Sequence, residues 1–232
     1  MTDKFASKMK SIQEETIDDL TTFFRNKALE GHLFGSFARG TNDALSDIDI
    51  WLTFDNVKIQ EVIKDRFEIY AKFGEVLLLH EMQNNFPLDG IQTAIIYKIN
   101  DELIRIDFYL CPMSSSRILP GSKILFENIK IKEGEIIPET KRTPRDLLDR
   151  ITFLISMCFN GIKKVIRKDQ SFIDFLISEF KKNEKEIPSL SAISANLSLH
   201  TLKDALAILY TVSNEEQRKA IVEINLFMSK LV

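Results

Sequence analysis

Cysteine, histidine and one-sided charge are all scarce in this chain, and each scarcity removes a class of function. The 232 residues include two cysteines and three histidines. Cys111 and Cys158 lie far apart in apolar surroundings, which predicts buried thiols rather than a disulfide, and the histidines are too scattered to suggest zinc. No run approaches the roughly 18 apolar residues of a membrane span. The opening MTDKFASKMK is charged and lacks the apolar centre of a signal peptide, so the expectation is a cytoplasmic protein with no membrane association. Net charge is only −3, and neither half is basic enough to argue for a long nucleic-acid footprint. Internal repeats and low-complexity segments are absent as well.

What is present is ordinary globular material, 44% hydrophobic and 28% charged, long enough for one large domain or two modest ones. Its most informative stretch is GSFARGTNDALSDIDIW, residues 35–51. Asp47, Asp49 and Trp51 alternate with Ile48, Ile50 and Leu52, so a strand here would put both carboxylates on one face and the isoleucines in a core. Two carboxylates side by side repel unless something cationic lies between them. Hard oxygen ligands without nearby His or Cys suit Mg²⁺, which is held by one or two carboxylates plus substrate phosphates. Leu33 and Phe34 read as the end of a short strand. Gly35 would let the backbone turn tightly, so that the amides near Ser36 face an anion.

These residues resemble the signature of the polymerase-β-type nucleotidyltransferase superfamily, a Gly-Ser pair followed about ten residues later by Ser-Asp-x-Asp. Gly35, Ser36, Ser46, Asp47 and Asp49 carry the match, and Gly40 fits the second glycine. The superfamily places a third carboxylate on a later strand, and LIRIDFYL supplies Asp107, with Arg105, Asp107 and Tyr109 on one face. The resemblance implies a catalytic and metal-binding set of Asp47, Asp49 and Asp107 holding two Mg²⁺. It also implies a nucleoside triphosphate donor, taken as ATP, from which a monophosphate passes to a hydroxyl and pyrophosphate leaves. Ser36 and its backbone would hold the β and γ phosphates, with Gly35, Ser46 and Arg39 as further nucleotide candidates. For Arg39 an exposed helix arginine is the plainer reading.

The rest of the chain reads as α+β: an N-terminal nucleotidyltransferase domain, residues 1–140, with a mixed sheet flanked by helices, then an all-α bundle over 141–232. Phe5, Met9, Ile12, Leu20 and Phe24 predict a helix over 4–29. Ile59, Ile63, Phe67 and Tyr70 predict a second, capped by Asp55 or Asn56 and ended by Gly74. Strands are predicted over 75–81, 91–99 and 103–110, the last two joined as a hairpin through Asn100 and Asp101. Residues 111–141 read as a connection with short strands. Thr143 and Pro144 then predict the start of a helix to Arg167, with further helices over 171–183 and 199–212 and a last one opened by a Ser213–Glu216 capping box.

Charge divides along the same line. Residues 1–140 hold 16 Lys+Arg against 23 Asp+Glu, or −7, and residues 141–232 hold 15 against 11, or +4. An acidic metal-binding half and a basic phosphate-binding half fit a nucleotide. Lys163, Lys164 and Arg167, in NGIKKVIRKDQ, are nucleotide-binding candidates, since that run also looks like the corresponding helix of lincosamide and aminoglycoside nucleotidyltransferases. Lys163 with Arg167, and Lys164 with Lys168, would share helix faces. Those antibiotic-modifying enzymes share this size and domain order, which implies a small-molecule hydroxyl acceptor, with a homodimer left open. Glu81 and Asp89, in the loop over 81–90, are the acceptor-binding candidates. The alternatives are transfer to a protein or tRNA end, as in toxin-antitoxin pairs, and a non-catalytic nucleotide-binding regulator.

Overall fold

The computed structural model describes residues 2–82, 86–135, 138–139, 146–193 and 197–231. The chain divides into two compact units, Thr2–Thr143 and Pro144–Val232. The first is built on a six-stranded mixed sheet. Its strands are β1 (Glu30–Phe34), β2 (Ile48–Phe54), β3 (Glu75–Glu81), β5 (Ile91–Ile99), β6 (Glu102–Pro112) and β7 (Lys123–Glu127), in the order β3-β5-β6-β2-β1-β7. β4 (Phe86–Pro87) and β8 (Pro138–Glu139) form a separate pair. Among the paired strands of this sheet in the described residues, only β2 and β6 run parallel. The fold is α+β.

One face of the sheet carries the apolar core. Ile48, Ile50, Leu52 and Phe54 from β2 and Ile106, Phe108 and Leu110 from β6 pack with Ile12, Leu20 and Phe24 of α1 (Asp3–Phe24). Thr2 caps α1 by accepting from the Phe5 amide. The predicted apolar stripe is buried as expected, but the helix ends at Phe24 rather than 29. The physical reason is competition for backbone partners, because the Leu29 amide donates to Thr53 at the start of β1. The second predicted helix is two short ones, α3 (Ile59–Lys64) and α4 (Arg66–Tyr70), broken at Asp65. Asp55 accepts from the Val57 amide in the turn ahead of α3, whose N-cap is Lys58. The hairpin between β5 and β6 turns through Asn100 and Asp101 at φ 50° and 62°, the left-handed pair that a two-residue connection requires.

The second unit is helical: α5 (Leu147–Ile166), α6 (Gln170–Lys182), α7 (Leu199–Val212), α8 (Glu215–Ser229) and a 3-10 turn over Pro188–Ala192. Apolar positions of α5, among them Ile151, Leu154, Ile155 and Ile162, are buried. Gly161 lets that helix approach Leu176 of α6 and Leu202 of α7, where a Cβ would stand 3.1 Å and 3.3 Å from their side chains. Thr143 and Pro144 lie outside the described residues, and the cap is Asp146, which accepts from the Asp149 amide. The last capping box is Asn214 with Gln217, one residue beyond the predicted pair. Ser213 is instead tied backward, donating to the Leu209 carbonyl at the end of α7. No helix among the described residues is long and apolar enough to cross a membrane.

Asp169 caps α6 and ties it to α5: it accepts from the Phe172 amide and pairs with Lys164 at 2.7 Å. Lys164, then the Phe172 amide and the Ser171 hydroxyl, lower its carboxyl to about 2. A depressed carboxyl stabilises the fold above the ordinary carboxylate range and loses that effect as pH falls through its folded value. Asp169→Ala should therefore cost about 1 kcal/mol at neutral pH and Asp169→Asn less than about 0.5 kcal/mol, because the pair is partly solvated. Urea unfolding from pH 7 down should show a constant gap to the wild type above about pH 4 that closes toward pH 2. A gap that widens in acid would refute the assignment.

Candidate active site

Opposite the helix-covered face, strand register lines up one row of side chains. Phe34 pairs with Asp49, Asp49 with Asp107, Asp107 with Ala94, and Ala94 with His80, across β1, β2, β6, β5 and β3. Paired residues on neighbouring strands point to the same side, so Asp49 and Asp107 are side by side. Asp47, just ahead of β2, joins them. Carboxylate oxygens of Asp47, Asp49 and Asp107 lie within 4.8 Å of one another. That set offers hard oxygen donors at a spacing one divalent cation can bridge, with Asp47 and Asp49 partly exposed. The residues fit Mg²⁺.

Two devices hold this cluster. Gly35 opens α2 (Gly35–Arg39) at φ +69°, and a Cβ there would overlap the Asp49 carboxylate. Glycine is needed both for the left-handed backbone and for the close approach. Gln13 of α1, almost fully buried, donates from Nε2 to the carbonyls of Asp43 and Ser46 at 3.1 Å and 3.0 Å. It thereby clamps the segment that delivers Asp47.

Arg105 adds the missing positive charge. Its Nε and Nη2 donate to Asp107 Oδ1 and Oδ2 at 2.7 Å and 2.9 Å. Burial opposes the guanidinium charge, but the Asp107 carboxylate and hydrogen bonds outweigh it, and Asp47 and Asp49 add to the effect, so the group is held above its ordinary value. Each Asp107 oxygen keeps a second lone pair for another partner. Arg105 Nη1 has no hydrogen-bond acceptor among the described residues.

Behind the carboxylate row lies an aromatic one. Trp51 stacks on Tyr109 at 5.4 Å and on His32 at 5.9 Å, and Phe34 meets Tyr109 edge-on at 4.9 Å. Trp51 is fully buried rather than solvated. Its indole donates to Ser116, which also bonds Thr53, while Thr53 and His32 both donate to Glu30. Burial pushes the Cys111 thiol up to about 12, too high to act as a nucleophile.

The remaining candidates scatter. Ser36 is partly exposed, and its hydroxyl has no partner among the described residues. Arg39 is exposed. Ser46 is buried and bonds Asp43 through its hydroxyl, donating to the carboxylate and accepting from the amide, so it shapes the turn that leads to Asp47. Glu81 is no loop residue. It ends β3 opposite Thr93, on the helix-covered face away from Asp107, and pairs with Arg66 at 2.6 Å. Asp89 sits exposed in the turn closed by Gly90, at φ 57°. In the helical unit Lys163 is buried on α5, Lys164 is engaged with Asp169, and Arg167 is the exposed C-cap residue. Lys168 lies past the helix end at φ 55°, so it does not share a helix face with Lys164.

Gln13 and Arg105 were not assigned roles from sequence. Gln13 left one faint signal, a polar residue within the apolar stripe of α1. Arg105 left another, a cation at i−2 on the face of Asp107.

Residues 15–111 match the family described as nucleotidyltransferase domain. That span contains all three aspartates, Gln13's targets and Arg105. Over that span the chain is similar to the nucleotidyltransferase domain of the polymerase-β-type superfamily. No curated protein matches the chain. Among solved structures it is similar to a STING-associated CdnE c-di-GMP synthase from Capnocytophaga granulosa, at 14% identity over 97% of this chain and 82% of that one, with a TM-score of 0.31.

Two glycines of this domain separate backbone strain from site geometry. Gly40 also has a left-handed φ, +66°, but a Cβ there would meet nothing within 4 Å. Gly40→Ala should cost about 1 kcal/mol from the left-handed backbone alone. Gly35→Ala should cost clearly more, since Asp49 must also move. Equal costs in chemical denaturation would show that the Asp49 contact does not constrain position 35.

Proposed function

We propose that the chain is a Mg²⁺-dependent nucleotidyltransferase that moves AMP from ATP to a hydroxyl of a small molecule, with a lincosamide-type antibiotic as the favoured acceptor. The observation that carries this reading is the convergence of Asp47, Asp49 and Asp107 on one face of the matched domain. Bound Mg²⁺ would supply charge neutralisation for the attacking and leaving oxygens of phosphoryl transfer. Asp47 and Asp49 would hold the ions. Asp107, fixed in orientation by Arg105, would complete the set and take the proton of the attacking hydroxyl. Ser36 would donate its uncommitted hydroxyl to the triphosphate, and the glycine before it lets the backbone come that close to Asp49.

The charge of the site bears on the acceptor. A polycation such as an aminoglycoside needs several desolvated carboxylates, because buried ammonium groups without partners are costly. Of the two acids named as acceptor candidates, Glu81 lies on the wrong face and is engaged by Arg66. A molecule with one amine asks less of the protein, which favours a lincosamide. The absence of a strongly basic face in the catalytic half supports a small acceptor over a nucleic-acid end.

Asp47→Asn, Asp49→Asn and Asp107→Asn each remove a ligand charge while nearly keeping shape. Transfer of label from α-labelled ATP should fall by orders of magnitude in each, with folding retained in the Asp47 and Asp49 variants and Asp107→Asn destabilised as well by the stranded charge of Arg105. Ser36→Ala should instead weaken triphosphate binding by about 1.5–3 kcal/mol, measured by calorimetry. Near-normal Mg²⁺-dependent transfer in the aspartate variants would overturn the metal assignment. Unchanged affinity in Ser36→Ala would move the phosphate site elsewhere.

A further inference from the structure

Tyr109 occupies the position one row behind Asp107 on β6, two residues along the same face. Its ring is locked between two neighbours, stacked on Trp51 at an interplanar angle of 13° and met by the Phe34 edge at 73°. Its oxygen accepts from Gln92 Nε2 of β5 at 2.6 Å. An amide N–H can only donate, so the phenol proton must point elsewhere. Among the described residues the phenol has no hydrogen-bond partner besides Gln92, and the neighbouring Trp51 is itself a donor, to Ser116. Yet Trp51 and Gln92 on either side are buried, while Tyr109 and Phe34 stay partly exposed. A rigid ring, an oriented donor without an acceptor, and an open edge together describe a binding group.

The side from which a ligand reaches it follows from strand order. The Gly35–Ser36 turn follows β1, and β6 lies beyond β2 on the other side of Asp49. Tyr109 lies on Asp107's own strand, two residues along the same face, and Phe34, which leads into the Gly35–Ser36 turn, meets it from the β1 side. In a transfer reaction Asp107 marks the attacking hydroxyl.

We propose that Tyr109 binds the second substrate, donating its phenol proton to an oxygen of that molecule while the Phe34 and Tyr109 edges pack against its ring carbons. The inference rests on the nucleotidyltransferase reading and deepens it. It selects an oxygen-rich, ring-bearing acceptor of low charge, since a donor hydroxyl and two aromatic edges recognise ether, hydroxyl or carbonyl oxygens and apolar ring faces rather than ammonium groups.

Tyr109→Phe keeps the ring and removes only the donor. Calorimetry on the full chain holding Mg²⁺ and a non-hydrolysable ATP analogue should show lincomycin binding weakened about three- to tenfold, with analogue affinity unchanged. Gln92→Met removes the amide that orients the proton and should weaken lincomycin in the same direction by less. Unchanged lincomycin affinity in Tyr109→Phe, or an equal loss of analogue affinity, would overturn the inference while leaving the nucleotide reading intact. Failure of the unaltered protein to bind lincomycin overturns it too, and failure to bind the analogue with Mg²⁺ counts separately against the nucleotidyltransferase reading.

Discussion

Three carboxylates whose oxygens lie within 4.8 Å of each other repel, and the sheet is arranged so that they cannot separate. Asp49 and Asp107 are paired partners in the parallel contact between β2 and β6, where seven consecutive residue pairs from Ile48–Ile106 to Phe54–Pro112 fix their spacing. A slip of one residue in β2 would send Asp49 into the apolar core, and one in β6 would do the same to Asp107, so burial of Ile48, Ile50, Ile106 and Phe108 on the opposite face enforces the register. The hydrophobic core thus stabilises the fold and positions the acids at the same time. Arg105 offsets part of the repulsion. A buried pair of this kind is weak evidence for net stability, but removing one partner strands the other charge, typically at a cost of about 3–5 kcal/mol.

The approach of the backbone to this cluster follows from the same constraint. Asp49 leaves no room for a Cβ at position 35, so the turn after β1 must be glycine if it is to pass close to the carboxylate. On the far side of β2, Gln13 holds the segment 43–46 from the helix whose apolar stripe packs on the sheet. Its Oε1 has no partner among the described residues, so the residue serves as a donor to two carbonyls at the expense of one unsatisfied acceptor. An apolar residue at that position would pack as well but would remove both of these bonds.

Much of this was legible from period and turn chemistry. The alternation in DIDIW and LIRIDFYL put three acids on strand faces, and the Asn100–Asp101 connection marked the hairpin that brings β6 beside β2's partner face. Other features depend on neighbours that one sequence segment cannot name. In VLLLHE three consecutive leucines erase the alternation, and an irregularity between Val76 and Leu78 resets it, so the face of Glu81 is set only by pairing with β5. Ser46 belongs to the phosphate-site motif, and only the fold shows that Asp43, three residues earlier, bonds its hydroxyl. The capping box moved from Ser213 to Asn214 because Ser213 found the Leu209 carbonyl first. Both candidates were good caps, and the preceding helix decided between them.

The aromatic row behind the acids has a consequence for what the site can accept. Trp51 was expected on the same face as the aspartates, and it is there, but under the segment carrying Ser116 and with its indole satisfied. That closes the floor behind β2. On β6 the equivalent position is Tyr109, which stays partly open because its cover on the β5 side is only the Gln92 amide. The asymmetry between two paired residues, one sealed and one open, gives the carboxylate row a direction: closed behind Asp49, open behind Asp107. A substrate therefore meets charge at the row itself and an oriented neutral donor beside it. This combination suits a molecule that presents one reactive hydroxyl to the acids and keeps the rest of its surface uncharged.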